Sequence, residues 1–98
     1  MAKILACSAN GAGTGLMMKL TLDKVISSRG LRVEEARNDS ISEGRKYASD
    51  YDIVLCPLRY VSVFADVAAK GTKVIGLDSV MRESEMAAKL MECGVDLK

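Results

Sequence analysis

The chain has no histidine, no tryptophan, one proline and three cysteines in 98 residues. Without histidine it cannot by itself build a Ser-His-Asp triad, a Cys-His nucleophile pair or a His-containing zinc site. Cys7, Cys56 and Cys93 are odd in number, far apart and free of any C-x-x-C pair. That argues against an all-Cys metal site and against a disulfide framework, and it fits a reduced, cytoplasmic protein. Aromatic residues make up only 4%, which leaves little for stacking on nucleic-acid bases. A net charge of +1 lacks the basic excess of a nucleic-acid module. No apolar run reaches the roughly 18 residues of a membrane span, and the N-terminus enters a strand at once, without a signal-peptide pattern. Acid–base work must therefore come from Asp, Glu, Lys, Tyr, a substrate or a partner. No metal and no cofactor is expected.

Apolar residues form 49% of the chain, enough for one core, and residues 1–98 read as a single domain. Strand and helix signals alternate. Lys3 to Ala6 is a short apolar strand that runs into Cys7 and a glycine-rich stretch. From Thr14 to Arg29, Met18, Leu22, Val25 and Ile26 recur at helical spacing, with Gly30 as the stop. Leu31 to Ala36 alternates like an edge strand. Ser40-Ile41-Ser42-Glu43 is a capping box opening a short helix that ends near Asp50. Asp52 to Cys56 is a continuous apolar run, as in a buried parallel strand. Val61 to Lys70 reads as a helix burying Val61, Phe64, Ala65 and Ala68, with Gly71 after it. Lys73 to Leu77 is a fourth strand. Glu83 to Cys93 is a last helix burying Met86, Leu90 and Cys93, with Gly94 behind it.

This order predicts an α/β three-layer sandwich: a four-stranded parallel sheet, order 2-1-3-4, with helices on both faces. Ligands in such folds bind beyond the carboxyl ends of the strands, beside strand one. Cys7 lies at that end. A thiol there is expected to meet free backbone N–H groups and the positive end of a helix, and to titrate below the ordinary value of about 8.5.

Three chemistries compete for Cys7-Ser8-Ala9-Asn10-Gly11-Ala12-Gly13-Thr14. A dinucleotide-binding turn needs G-x-G-x-x-G, and here Gly11, Gly13 and Gly15 follow G-x-G-x-G. A cysteine phosphatase needs an arginine six residues after its cysteine, and that position is Gly13. A phosphoryl carrier needs only a nucleophile, inward-facing N–H groups and hydroxyl donors such as Ser8 and Thr14. The rival of another class is a non-enzymatic module that holds a nucleotide or flavin in the glycine loop.

The stretch from Cys7 to Leu20, a glycine- and hydroxyl-rich loop opening a Met- and Leu-rich helix, resembles the enzyme IIB components of the bacterial phosphotransferase system of the lactose/ascorbate/galactitol type. Val74-Ile75-Gly76-Leu77-Asp78-Ser79-Val80-Met81 looks most similar to the ascorbate-type members. The layout resembles the family over the whole chain. Two features depart from it: the loop counted from Cys7 is longer by one residue before the Ser/Thr, and Gly15 stands where a second Ser is common. The resemblance implies a phosphotransferase component with a phosphocysteine intermediate. Cys7 would take phosphate from a phosphohistidine on a IIA protein, within a phosphate loop of Ser8, Ala9, Asn10, Gly11, Ala12, Gly13 and Thr14. It would pass the group to an ascorbate-like sugar held by the membrane IIC protein, without entering the membrane or binding nucleic acid itself.

Arg59, just past the third strand, is a secondary candidate for reaching the phosphate or a partner. Cys56 and Cys93 read as small core hydrophobes. Asp78 and Ser79 read as caps of the last helix. Of Leu16, Met17, Met18 and Leu20, most are expected in the core and one or two at the surface as a docking patch.

Overall fold

Apolar alternation along the strands builds the core in two layers, one on each face of the sheet. The computed structural model describes residues 2–9 and 12–97, with the side chains of residues 12–14 outside that description. In chain order the elements are β1 (Ala2–Ser8), α1 (Ala12–Arg29), β2 (Val33–Ser40), α2 (Ile41–Gly44), β3 (Ile53–Pro57), α3 (Ala65–Ala69), β4 (Lys73–Leu77) and α4 (Glu83–Met91). Two 3-10 segments, Ala48–Asp50 and Leu58–Phe64, precede β3 and α3. All strands are parallel and the sheet order is β2-β1-β3-β4, as expected.

Successive strand residues face opposite sides. Ile4, Ala6, Ile53 and Leu55 pack under Met18, Leu22 and Val25 of α1 and under Met86 and Leu90 of α4. Leu5, Cys7, Val54 and Cys56 point the other way, against Ile41, Ala48, Tyr51, Phe64 and Val67. The parity of β1 therefore decides which of its residues can see α1.

The helix punctuation is local chemistry. Gly30 adopts φ 62°, and the N–H groups of Gly30 and Leu31 donate to the carbonyls of Ser27 and Ile26, closing α1 as a left-handed cap. Gly71 and Gly94 also have positive φ. Ser40 caps α2 by accepting from the Glu43 N–H at 3.2 Å. The reciprocal half of the capping box is absent, because the Ser40 N–H donates to Asp39 Oδ1 instead.

Three expectations need correction. The helix expected over 61–70 is a 3-10 segment followed by one short α-helix. Val61, Phe64 and Val67 recur every three residues, as 3-10 geometry requires, and Ala65 and Ala68 are exposed. β2 continues through Arg37-Asn38-Asp39-Ser40, paired with Leu5 to Ser8. An edge strand needs no apolar alternation on its outer residues, so its polar half carried no strand signal. Asp78 and Ser79 do not cap α4, whose N-cap is Arg82. Their N–H groups donate to the Glu85 carboxylate at 2.6 and 3.0 Å, while Lys89 bridges Glu85 (3.0 Å) and the Gly76 carbonyl (2.6 Å).

This network ties β4 to α4. Burial pushes the Glu85 carboxyl up, but the two N–H donors and Lys89 together bring it down to about 2 from 4.5. A carboxylate lowered on folding adds stability above its unfolded value and loses it as pH falls toward the folded value. Glu85→Gln should cost about 2 kcal/mol at pH 7, as for a hydrogen-bonded charged group. It should also remove part of the stability loss between pH 4.5 and 2. Urea denaturation of both proteins over that range checks this, and identical curves would contradict it.

Candidate functional site

β1 lies inside the sheet, with β2 on one side and β3 on the other. Its carboxyl end opens at the place where the chain's crossovers part to opposite faces, the usual ligand position in open α/β sheets. The β1–α1 turn stands there. Asn10 and Gly11 of the expected loop lie outside the described residues. Ala12, Gly13 and Thr14 open α1 rather than extending the loop, so the helix starts two residues earlier than its apolar spacing predicts. Ala9 is partly buried at the turn.

Cys7 is not in the expected environment. Its side chain is fully buried, on the face of the sheet opposite α1, among Leu5, Ile41, Val54, Cys56 and Phe64. The sulfur rests against the last residue of α2: a Cβ built on Gly44 would stand 2.5 Å from it. Burial, with smaller contributions from Cys56 and Asp39, pushes the thiol up to about 12 from 9.0. The expected lowered thiol is corrected to a raised one. Residue 7 is odd in a strand whose even residues, Ile4 and Ala6, face α1, so the helix end cannot act on it.

Ser8 has the opposite parity. Its side chain is fully buried and shares the face of Ile4 and Ala6. The hydroxyl lies against the first turns of α1, where a Cβ on Gly15 would come within 2.9 Å of Ser8 Oγ. The same point is 3.5 Å from Asn38 Nδ2, on the neighbouring strand. Among the described residues, Ser8 Oγ is the buried side-chain polar atom with no hydrogen-bond partner. Such a vacancy typically costs about 1–3 kcal/mol. The first N–H groups of an α-helix have no partner within the helix and carry its positive end. Asn38 was missed in the sequence because β2 was expected to end at Ala36.

Arg59 is exposed, in the 3-10 segment after β3, with its guanidinium over the Tyr60 ring at 5.0 Å. Tyr60 in turn lines an open groove of about 650 Å³ with Ala9, Ile41, Ser42, Arg45, Lys46 and Val63. Arg45, Lys46 and Tyr60 were not singled out by sequence. They come together only because α2 and the 3-10 segment flank the same end of the sheet. Lys46 pairs with Glu43 at 3.3 Å. On the other flank Leu16, Met17 and Leu20 are all about half exposed, while Met18 between them is fully buried. Cys56 is a core residue as expected, raised by burial to about 11, and Cys93 is partly buried beyond the end of α4.

No helix among the described residues is long and apolar enough to cross a membrane. No curated protein matches the chain. Among solved structures, the lactose-specific IIB component domain of the phosphoenolpyruvate:carbohydrate phosphotransferase system from Streptococcus pneumoniae is similar in fold. Its TM-score is 0.69 at 12% identity, over 96% of this chain and 98% of that one. Its sheet order and surrounding helices correspond to the architecture described above. The model of the family "PTS system, Lactose/Cellobiose specific IIB subunit" matches residues 3–92, which takes in all four strands and the β1–α1 turn. The chain therefore belongs to this IIB family, the phosphoryl-carrying domains of sugar phosphotransferase systems.

Proposed function

We propose that the protein accepts a phosphoryl group from a phosphohistidine on a IIA protein, holds it at the β1–α1 turn, and passes it to a sugar bound by a membrane IIC partner. The observation that carries this reading is the family match across residues 3–92, in a fold whose central strand ends at the N-terminus of α1. Such a terminus suits a phosphoryl group, whose oxygens accept from unpaired N–H groups and whose charge opposes the helix dipole. The chain has no histidine, so the phosphohistidine belongs to the donor. The partly exposed Leu16, Met17 and Leu20 beside the turn offer a docking patch, and Met suits adaptable contacts. Arg45 and Lys46 in the adjoining groove, with Arg59 nearby, add positive charge toward a phosphorylated partner.

The protein works in the cytoplasm on this reading. The ascorbate-like character of Val74 to Met81 supports a sugar-acid substrate, held by the IIC partner. The test is phosphoryl uptake from phosphoenolpyruvate through the general phosphotransferase proteins and a IIA, read by intact mass. One phosphoryl group per chain, dependent on IIA, is expected. A protein that stays unmodified beside fully phosphorylated IIA contradicts the proposal.

A further inference from the structure

We infer that the phosphoryl group is taken by Ser8 Oγ, the buried, unpartnered hydroxyl against the first turns of α1, and not by Cys7. The inference rests on the carrier reading above and names its acceptor atom. Four observations carry it. Ser8 shares the α1 face of β1 with Ile4 and Ala6, whereas Cys7 lies on the other face. Ser8 Oγ is fully buried without a hydrogen-bond partner. The space next to it is kept open by Gly15, where any side chain would begin 2.9 Å from the oxygen. Asn38 Nδ2 stands beside the same space as a neutral donor. Cys7 would have to leave the cluster of Leu5, Val54 and Phe64 and cross the sheet to reach it.

The step balances without a base from this chain. Ser8 Oγ attacks phosphorus, the P–N bond of the phosphohistidine breaks, and an O–P bond forms. The hydroxyl proton goes to the departing imidazole nitrogen. N–H groups at the helix start and the Asn38 amide then meet the phosphoryl oxygens. Onward transfer to a sugar hydroxyl exchanges one phosphate ester for another, with the sugar's proton returning to Ser8 Oγ.

The test uses the full chain with two donors: phosphorylated IIA, and phosphoramidate as a small P–N donor. Wild type, Cys7→Ala, Ser8→Ala and Ser8→Cys are compared, with urea midpoints confirming that each is folded. The adduct is located by peptide fragmentation and classed by acid stability. Wild type and Cys7→Ala should carry an acid-stable phosphoserine at Ser8. Ser8→Ala should fall at least a hundredfold in uptake, and Ser8→Cys should carry an acid-labile adduct at residue 8. If Ser8→Ala does not fold, the mapped position in wild type decides. An adduct on Cys7 overturns the assignment to Ser8 and leaves the carrier reading standing. No adduct from either donor in any variant overturns the carrier reading and this inference with it.

Discussion

Between pH 9 and 11 the free energy of unfolding should fall steadily, because two buried thiols keep protons that the unfolded chain releases, each contributing on the order of 1 kcal/mol per pH unit. Cys7 and Cys56 are fully buried, and burial raises them from 9.0 to about 12 and about 11. The folded protein keeps both protons where the unfolded chain releases them. An acid raised on folding adds its stability below the unfolded value and loses it as pH climbs toward the folded one. The loss therefore begins near 9, slackens past 11 for Cys56 and ends near 12 for Cys7. Tyr47 and Tyr51, raised first by burial and then by their hydrogen bonds to Asp39 and Glu35, steepen the decline above the ordinary tyrosine value of 10.0. A loss of several kcal/mol by pH 11 is a large share of the whole stability of a small domain. Urea denaturation at intervals from pH 7 to 11 measures it. Cys7→Ala should remove about half of the slope between pH 9 and 10, before the tyrosines contribute. Stability that stays flat to pH 10.5 would mean that the Cys7 sulfur is not among the aliphatic side chains of this face.

Gly15→Ala should separate stability from function. Gly15 lies in α1, where alanine is favoured over glycine by about 1 kcal/mol. Its new methyl, however, would stand 2.9 Å from Ser8 Oγ and take up the space the phosphoryl group needs. Turning the Ser8 side chain about its Cα–Cβ bond moves the oxygen away in the resting protein, so the thermal midpoint should hold or rise slightly. Phosphoryl uptake from IIA should drop by at least about tenfold, equivalent to about 1.4 kcal/mol in the barrier. A Gly15→Ala protein that is phosphorylated at the wild-type rate would show that the group is held elsewhere.

The architecture was legible because its signals are local. Glycine stops at Gly30, Gly71 and Gly94 all carry positive φ, Ser40 caps α2, and the apolar run ending in Cys56 is a buried strand. What was not legible depends on neighbours. The polar half of β2 is a strand only because β1 offers it partners, and without that half Asn38 has no place in the site. The 3-10 segment after Pro57 recurs every three residues, a period masked by the surrounding alanines.

Cys7 was expected among free N–H groups at the start of α1, and its side chain lies on the opposite face of the sheet. Cysteine attracts attention as a nucleophile, but side-chain parity within β1 outranks residue type. Once α1 is known to cover Ile4 and Ala6, residue 8 must face it and residue 7 cannot. One clue was in the sequence: the loop is a residue too long when counted from Cys7, and the excess vanishes when the count starts from Ser8.

Parity on one strand is the hinge of this account, and phosphorus NMR of the phosphorylated wild-type protein tests it most directly. An oxygen ester and a sulfur ester of phosphate resonate in separate regions. A single resonance in the phosphoserine region, unchanged in Cys7→Ala, is the predicted spectrum. A thiophosphate resonance that disappears in Cys7→Ala would contradict it.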